Sequence, residues 1–287
     1  MEKVDISEII EQLVVNEGIA DYPKGYKKLT GGTTSRLYLL VGNEQCVVKL
    51  NEARVIEEEA YFLNFYENKS IFPKLLYVDP LYRYMVYSFI PGSVSCDAGN
   101  KKDILCTLVQ KVIHTYKPAV KMDQWGWKED PVDSWQDFLL ERVREANETV
   151  TSYITEEDFH TVVQLVHSPN RTAYSDQPFL LHGDCGFHNF IFNEHTLYGV
   201  IDPYPVLGDP IYDLIYAFCS TPKELTRETI DEVVEKSVFH NRAREALYEE
   251  VVIVLYCRLD TCLRHHPENL EAYLQAWRYW MNLIHEQ

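Results

Sequence analysis

The sequence predicts an α+β chain in two parts: a small β-rich lobe around one helix over residues 1–90, and a larger, mostly helical lobe over 93–287. Three observations carry this. Short β-branched and aromatic runs crowd the first ninety residues, where a single helical pattern interrupts them. Pro91-Gly92 then breaks the pattern and marks a hinge at about 86–92. Beyond it helical periodicity dominates, apart from one β-like island between Phe179 and Asp202.

In chain order, the start carries acids where a leader peptide needs basic residues, so it reads as a helix capped by Asp5 or Ser7. Strands follow at 27–29, 36–41 and 45–50, the last two joined by the hairpin signal Gly42-Asn43-Glu44. Residues 53–66 form a helix with Ile56, Ala60 and Leu63 on one face, and two more strands lie at 75–78 and 83–89. The second lobe reads as helices over 101–116, 134–149, 156–167, 210–219, 224–238, 242–264 and 268–285.

With 46% hydrophobic and 25% charged residues, the 287-residue chain has the composition of a globular protein with a substantial core. Its longest clean apolar run, 251–257, is too short to span a bilayer, so no membrane partner is expected. Seven cysteines without a Cys-x-x-Cys pair suit a reducing, cytoplasmic setting. Against 44 acids stand 27 bases, a net charge of −17, which disfavours nucleic acid as a partner. The acids concentrate in the middle: 19 acids and 9 bases over 91–219 against 13 acids and 10 bases over 1–90. A monomer or weak dimer is expected.

The densest polar cluster is His182-Gly183-Asp184-Cys185-Gly186-Phe187-His188-Asn189, held between two apolar runs. A second apolar strand, 197–201, ends in Asp202. Phosphoryl transfer needs a carboxylate to accept the acceptor's hydroxyl proton and hard oxygen ligands for Mg²⁺. Asp184 fits the first role, Asn189 and Asp202 the second. A zinc-type grouping of His182, Asp184 and His188 is the competing arrangement, but it leaves the spacing to Asn189 and Asp202 unexplained.

The string His182-x-Asp184-x4-Asn189, then Ile201-Asp202 and Gly208-Asp209-Pro210-x-Tyr212-Asp213-Leu214, resembles the aminoglycoside phosphotransferase family. That family shares the protein-kinase-like fold with choline, fructosamine and other small-molecule kinases. The resemblance implies that Asp184 is the catalytic base, that Asn189 and Asp202 bind Mg²⁺, and that His182 braces the loop. Asp209 and Asp213 would hold that loop by hydrogen bonds. It further implies an ATP- or GTP-dependent phosphotransferase acting on a small hydroxyl acceptor, with antibiotic resistance among its roles. A catalytically silent, nucleotide-binding regulator of the same fold is the alternative.

Upstream, Thr30-Gly31-Gly32-Thr33-Thr34-Ser35 lies between two strands, where glycines let the backbone approach phosphates and hydroxyls add contacts; it is equally an ordinary hairpin turn. By resemblance it is the nucleotide loop. Lys49 sits in an otherwise apolar strand, either at a sheet edge facing solvent or placed for function. The resemblance puts it on the nucleotide phosphates, with Glu59 rather than Glu58 as its acidic partner, and makes Tyr87, Ser88 and Phe89 the backbone that meets the base. Two departures from the family pattern stand out: Pro203 and Pro205 follow Asp202 where an aromatic residue is common, and Ser35 stands where asparagine is common. The acidic middle segment suggests a cationic acceptor, with Asp133, Asp137, Glu157 and Asp260 as candidate contacts.

Overall fold

The computed structural model describes residues 5–16, 18–19, 21–29, 35–94, 100–119, 124–170 and 176–286. The loop residues Gly31, Gly32, Thr33 and Thr34 lie outside that set. Two compact units emerge, Met1–Ser95 with Phe190–Glu194 and Tyr198–Tyr204, and Cys96–Asn189 with His195–Leu197 and Pro205–Gln287. Among the described residues no helix is long and apolar enough to cross a membrane.

The first unit opens with helix α1 (Ile6–Val15), capped by the Asp5 carboxylate, which accepts from the Ser7 N–H at 3.0 Å. Strands β1 (Gly25–Lys28), β2 (Arg36–Val41) and β3 (Cys46–Leu50) precede helix α2 (Ala53–Phe65), and β4 (Leu75–Val78) and β5 (Tyr84–Ser88) follow it. These five strands form one antiparallel sheet in the order β1-β2-β3-β5-β4, so β3 is central. Alternation sends Cys46, Val48 and Leu50, with Tyr84 and Val86 of β5, to the face covered by Ile6, Ile9, Ile10 and Leu13 of α1. Val47 and Lys49 take the opposite face, where α2 lies. A strand covered on both sides must be apolar throughout, which is why β3 reads as a continuous buried run. Lys49 is therefore no edge residue.

The second unit is mainly helical: α3 (Lys101–Lys111), α4 (Trp135–Val150), α5 (Glu156–Val166), α6 (Ile211–Cys219), α7 (Arg227–Glu235), α8 (Arg244–His265) and α9 (Leu270–His285). Helix α8 packs against α4, α5, α6 and α9, so apolar side chains surround it almost completely. Strands β6 (Trp125–Trp127), β7 (Asp130–Val132), β8 (Phe179–Leu181) and β11 (Val206–Gly208) form a small sheet in the order β7-β6-β11-β8. In chain order β9 (Phe190–Asn193) and β10 (Thr196–Val200) come between β8 and β11 and pair with each other as a separate two-stranded sheet. Sequence periodicity misses β6, β7 and β11, whose three residues are too few to show alternation. The helix expected over 101–116 ends at Lys111, and a tighter 3₁₀ turn occupies Ile113–Thr115.

Candidate active site

Strand β8 feeds directly into the His182–Asn189 loop, whose first two residues are tied from beneath. The His182 N–H donates to Asp213 Oδ2 at 2.8 Å and the Gly183 N–H to Asp213 Oδ1 at 3.1 Å, while the Tyr116 hydroxyl donates to Oδ2 at 2.5 Å. Burial pushes the Asp213 carboxyl up to about 7, against the pull of Tyr116 and the two amides. Gly183 has φ +79°, a left-handed conformation open to glycine at little cost. Asp209, one turn earlier, accepts from the Ile211 N–H at 3.1 Å and pairs with Arg242 at 2.5 Å, fixing the start of α6. Asp213→Ala orphans two buried amides and is expected to cost roughly 2–5 kcal/mol. Denaturant unfolding measures that loss, and faster hydrogen exchange at the His182 and Gly183 amides localises it.

Asp184 projects from this fixed loop with both oxygens engaged. Tyr216 of α6 donates its hydroxyl to Oδ1 at 2.6 Å; Asn189 donates Nδ2 to Oδ2 at 2.9 Å; and His188 Nε2 lies 3.2 Å from Oδ2. Burial alone would raise the Asp184 carboxyl, yet His188, Tyr216 and His182 hold it below the usual aspartate value, so it is ionised at neutral pH. Gly186 makes room for the imidazole: a Cβ there would sit 2.5 Å from His188 Cε1. His182 is fully buried. The residues Tyr216, His188 and Tyr116 were not assigned these contacts from sequence. Helical spacing offers a signal for Tyr216, three residues beyond Asp213, whereas Tyr116 is 97 residues from Asp213 and gives none.

In the first unit Lys49, 2% exposed, makes ion pairs with both Glu59 and Asp202. Burial would lower the lysine's pKa, but the two carboxylates more than reverse it, so the ammonium stays charged. Burial pushes Glu59 up to about 7 against the attraction of Lys49. Glu59 is the glutamate whose carboxylate pairs with Lys49; Glu58 beside it is also buried. Asp202 has φ +61°, a left-handed conformation costing of order ~1 kcal/mol, which aspartate tolerates better than most residues. Its Oδ1 meets Lys49, and its side chain is 44% exposed.

The Ser35 hydroxyl accepts from Asn51 Nδ2 at 2.8 Å. Tyr87 is buried near Lys49 and Glu59, and burial first, then the Glu59 carboxylate, holds its phenol well above the ordinary value against the pull of Lys49. The Ser88 and Phe89 N–H groups are committed to the Lys74 and Gln45 carbonyls, at 2.9 and 3.1 Å. The four acids considered for the acceptor do not converge. Asp137 accepts from the Ser134 hydroxyl at the start of α4, and Asp133 lies just before it, exposed. Asp260 accepts from Thr149 near the other end of α4, roughly 18 Å along the helix from Asp137 at 1.5 Å per residue. Glu157 is exposed in the first turn of α5, which Thr155 and Asp158 close as a capping box.

As Mg²⁺ ligands the candidates have suitable chemistry. Both Asn189 Nδ2 bonds go to Asp184, to its carbonyl and to Oδ2, so the amide oxygen turns the other way as a hard donor. Asp202 keeps Oδ2 outside its Lys49 ion pair. Among the described residues no three His, Cys, Asp or Glu side chains group to hold a metal, so the zinc-type arrangement has no geometric basis.

The profile of the phosphotransferase enzyme family matches residues 25–248. A search of curated proteins gave no match. Among solved structures, the streptomycin–ATP ternary complex of APH(2″)-IIa is 19% identical with a TM-score of 0.60, covering 98% of this chain and 97% of that one. A Haemophilus somnus 129PT protein described as a fructosamine-3-kinase is 18% identical, with a TM-score of 0.66 and 96% of both chains covered. Choline kinase from Cryptosporidium parvum Iowa II is 12% identical at a TM-score of 0.61, covering 97% and 95%. The α+β fold, with its N-terminal antiparallel sheet and helical remainder, is the kinase-like fold of these proteins.

Proposed function

Because the chain belongs to the phosphotransferase enzyme family, we propose that it transfers the γ-phosphoryl group of ATP or GTP to a hydroxyl of a small molecule, with Mg²⁺ on the nucleotide. The observation that carries this reading is Asp184: an ionised carboxylate on a loop anchored by Asp213, its orientation set by Tyr216 and Asn189. A general base of this kind must be held still and deprotonated before the acceptor arrives.

In the proposed step the acceptor oxygen forms a bond to the γ-phosphorus as its proton passes to Asp184. The bond from that phosphorus to the bridging oxygen breaks, and the nucleoside diphosphate leaves. Lys49, positioned by Glu59, pairs with the nucleotide phosphates. Ser35 and the Gly31-Gly32-Thr33-Thr34 loop contribute to the phosphate cradle, and the strand end at Tyr87-Ser88-Phe89 receives the base. Asn189 and Asp202 would hold Mg²⁺, which when bound offsets charge on the phosphate oxygens. The net charge of −17 favours acceptors bearing an amine, of the aminoglycoside or amino-alcohol type.

The test is nucleoside diphosphate release with Mg²⁺–ATP and Mg²⁺–GTP against a panel of amines, sugars and antibiotics. Nucleotide binding without acceptor-dependent release would instead favour a silent regulator. Asp202→Ala and Asn189→Ala are each expected to raise the Mg²⁺ concentration for half-maximal activity at least ~10-fold. A wild-type Mg²⁺ titration for Asp202→Ala removes Asp202 from the ligand set.

A further inference from the structure

Three helices of the second unit turn one face each toward a common pocket: Leu139 and Arg142 of α4, Tyr212 and Tyr216 of α6, and residues from Ile253 to Thr261 of α8. Leu139, Tyr212 and Ile253 are buried, whereas Arg142, Tyr216 and Thr261 are partly exposed, so the pocket opens on their side. Tyr216 is at once a wall of this pocket and the residue whose hydroxyl donates to Asp184 Oδ1. Asp184 Oδ2 already accepts from Asn189 and faces His188. A carboxylate oxygen accepts two hydrogen bonds. The open acceptor position is therefore on Oδ1, beside the Tyr216 hydroxyl, and a hydroxyl bound there has the pocket next to it.

The charge in this pocket runs against that of the whole chain. Arg142 and Arg258 both line it. Arg258 spends its Nε on the Tyr273 hydroxyl at 3.1 Å and its Nη2 on the Ser220 carbonyl at 3.0 Å. Arg142 pairs through Nη1 with Glu145, a carboxylate 60% exposed on the same helix. Its pocket neighbours Tyr212 and Tyr216 are neutral phenols, kept so first by burial. Cys257 is a neutral thiol, which burial pushes up to about 11. The charged side chains that line the pocket itself are the two guanidiniums, with Glu145 facing solvent and Asp184 beyond Tyr216, and a surface i,i+3 pair is readily exchanged.

Resting on the phosphotransferase reading above, we propose that this pocket holds the acceptor and that Arg142 selects acceptors carrying an oxyanion, carboxylate or phosphate, near the reacting hydroxyl. The planar guanidinium fork matches two oxygens of such a group, and its partly buried setting strengthens the pairing. An acceptor that also bears an amine answers both the long-range acidic field and the local positive one, so the class is amphoteric: a hydroxylated amino acid or an amino-sugar acid.

The experiment compares matched acceptors on the full chain: a hydroxy-amine, the corresponding hydroxy-amino acid, its amide, and the phosphate monoester of the amino alcohol with a second hydroxyl free. Acceptor binding by calorimetry is measured beside diphosphate release. The acidic members are expected to bind at least ~10-fold more tightly than the amine and the amide, the worth of one charge-assisted pair. Whichever oxyanion binds better identifies its source. Arg142→Gln is expected to raise the acceptor KM at least ~10-fold with a much smaller change in kcat; Arg142→Lys retains part of the affinity, and Arg144→Gln, exposed on the same helix, changes neither. A preference for the amine or amide overturns the proposal, as does equal affinity of wild type and Arg142→Gln for the acidic acceptors. Failure of the phosphotransferase reading shows differently, as absent diphosphate release from the wild type, and the calorimetric comparison then still decides the role of Arg142.

Discussion

Asp184→Asn is expected to cut acceptor-dependent turnover at least ~10²-fold while nucleotide affinity stays near that of the wild type, the usual worth of a positioned general base. The substitution keeps the side-chain shape and leaves the Asp213 anchor beneath the loop in place. It removes the ability to take the proton. The amide must also present its NH₂ toward either Tyr216 or Asn189, both donors in the wild type, so a small loss of loop stability accompanies the loss of rate. Single-turnover kinetics at saturating nucleotide separate the two effects. Near-normal turnover would exclude Asp184 as the base.

Lys49→Ala is expected to cost about 3–5 kcal/mol of stability, more than any surface change, because it takes the shared cation from Asp202 and from buried Glu59, which must then hold an unpaired charge or take up a proton. Glu59 is almost wholly buried and cannot recover hydration. The loss is also non-additive: adding Glu59→Gln to Lys49→Ala removes one uncompensated charge and should restore part of the stability. Urea unfolding of the two single variants and the double variant reads this directly. A loss below about 1 kcal/mol for Lys49→Ala would mean that the ion-pair network contributes little to the fold.

How far these features were legible in the sequence depends on whether their cause is local. Strand β3 and its lysine could be read because a single charge in a fully apolar run has few explanations, and the central position of β3 removes the edge reading. Helices α2 and α5 could be read from their period. The contact of Lys49 with Asp202 spans 153 residues and has no local signature. The same holds for the return of 198–204 to the first unit, which the hinge near 90 does not announce. Asp137 and Asp260 were grouped by charge alone; the fold spends the first on a helix start and the second on Thr149 and Arg264. Arg142 drew no notice from sequence, because an arginine on an amphipathic helix is ordinary until Tyr212 and Tyr216 are seen beside it.

The most direct measurement follows the γ-phosphoryl group itself. Phosphorus NMR and mass spectrometry of a reaction with Mg²⁺–ATP and the best acceptor of the panel report where the group goes. A phosphotransferase yields one acceptor phosphate monoester for each diphosphate released, with wild-type chain and not with Asp184→Asn. Bound nucleotide that stays intact across the whole panel, or phosphate released only as the free ion and unaffected by Asp184→Asn, would contradict it.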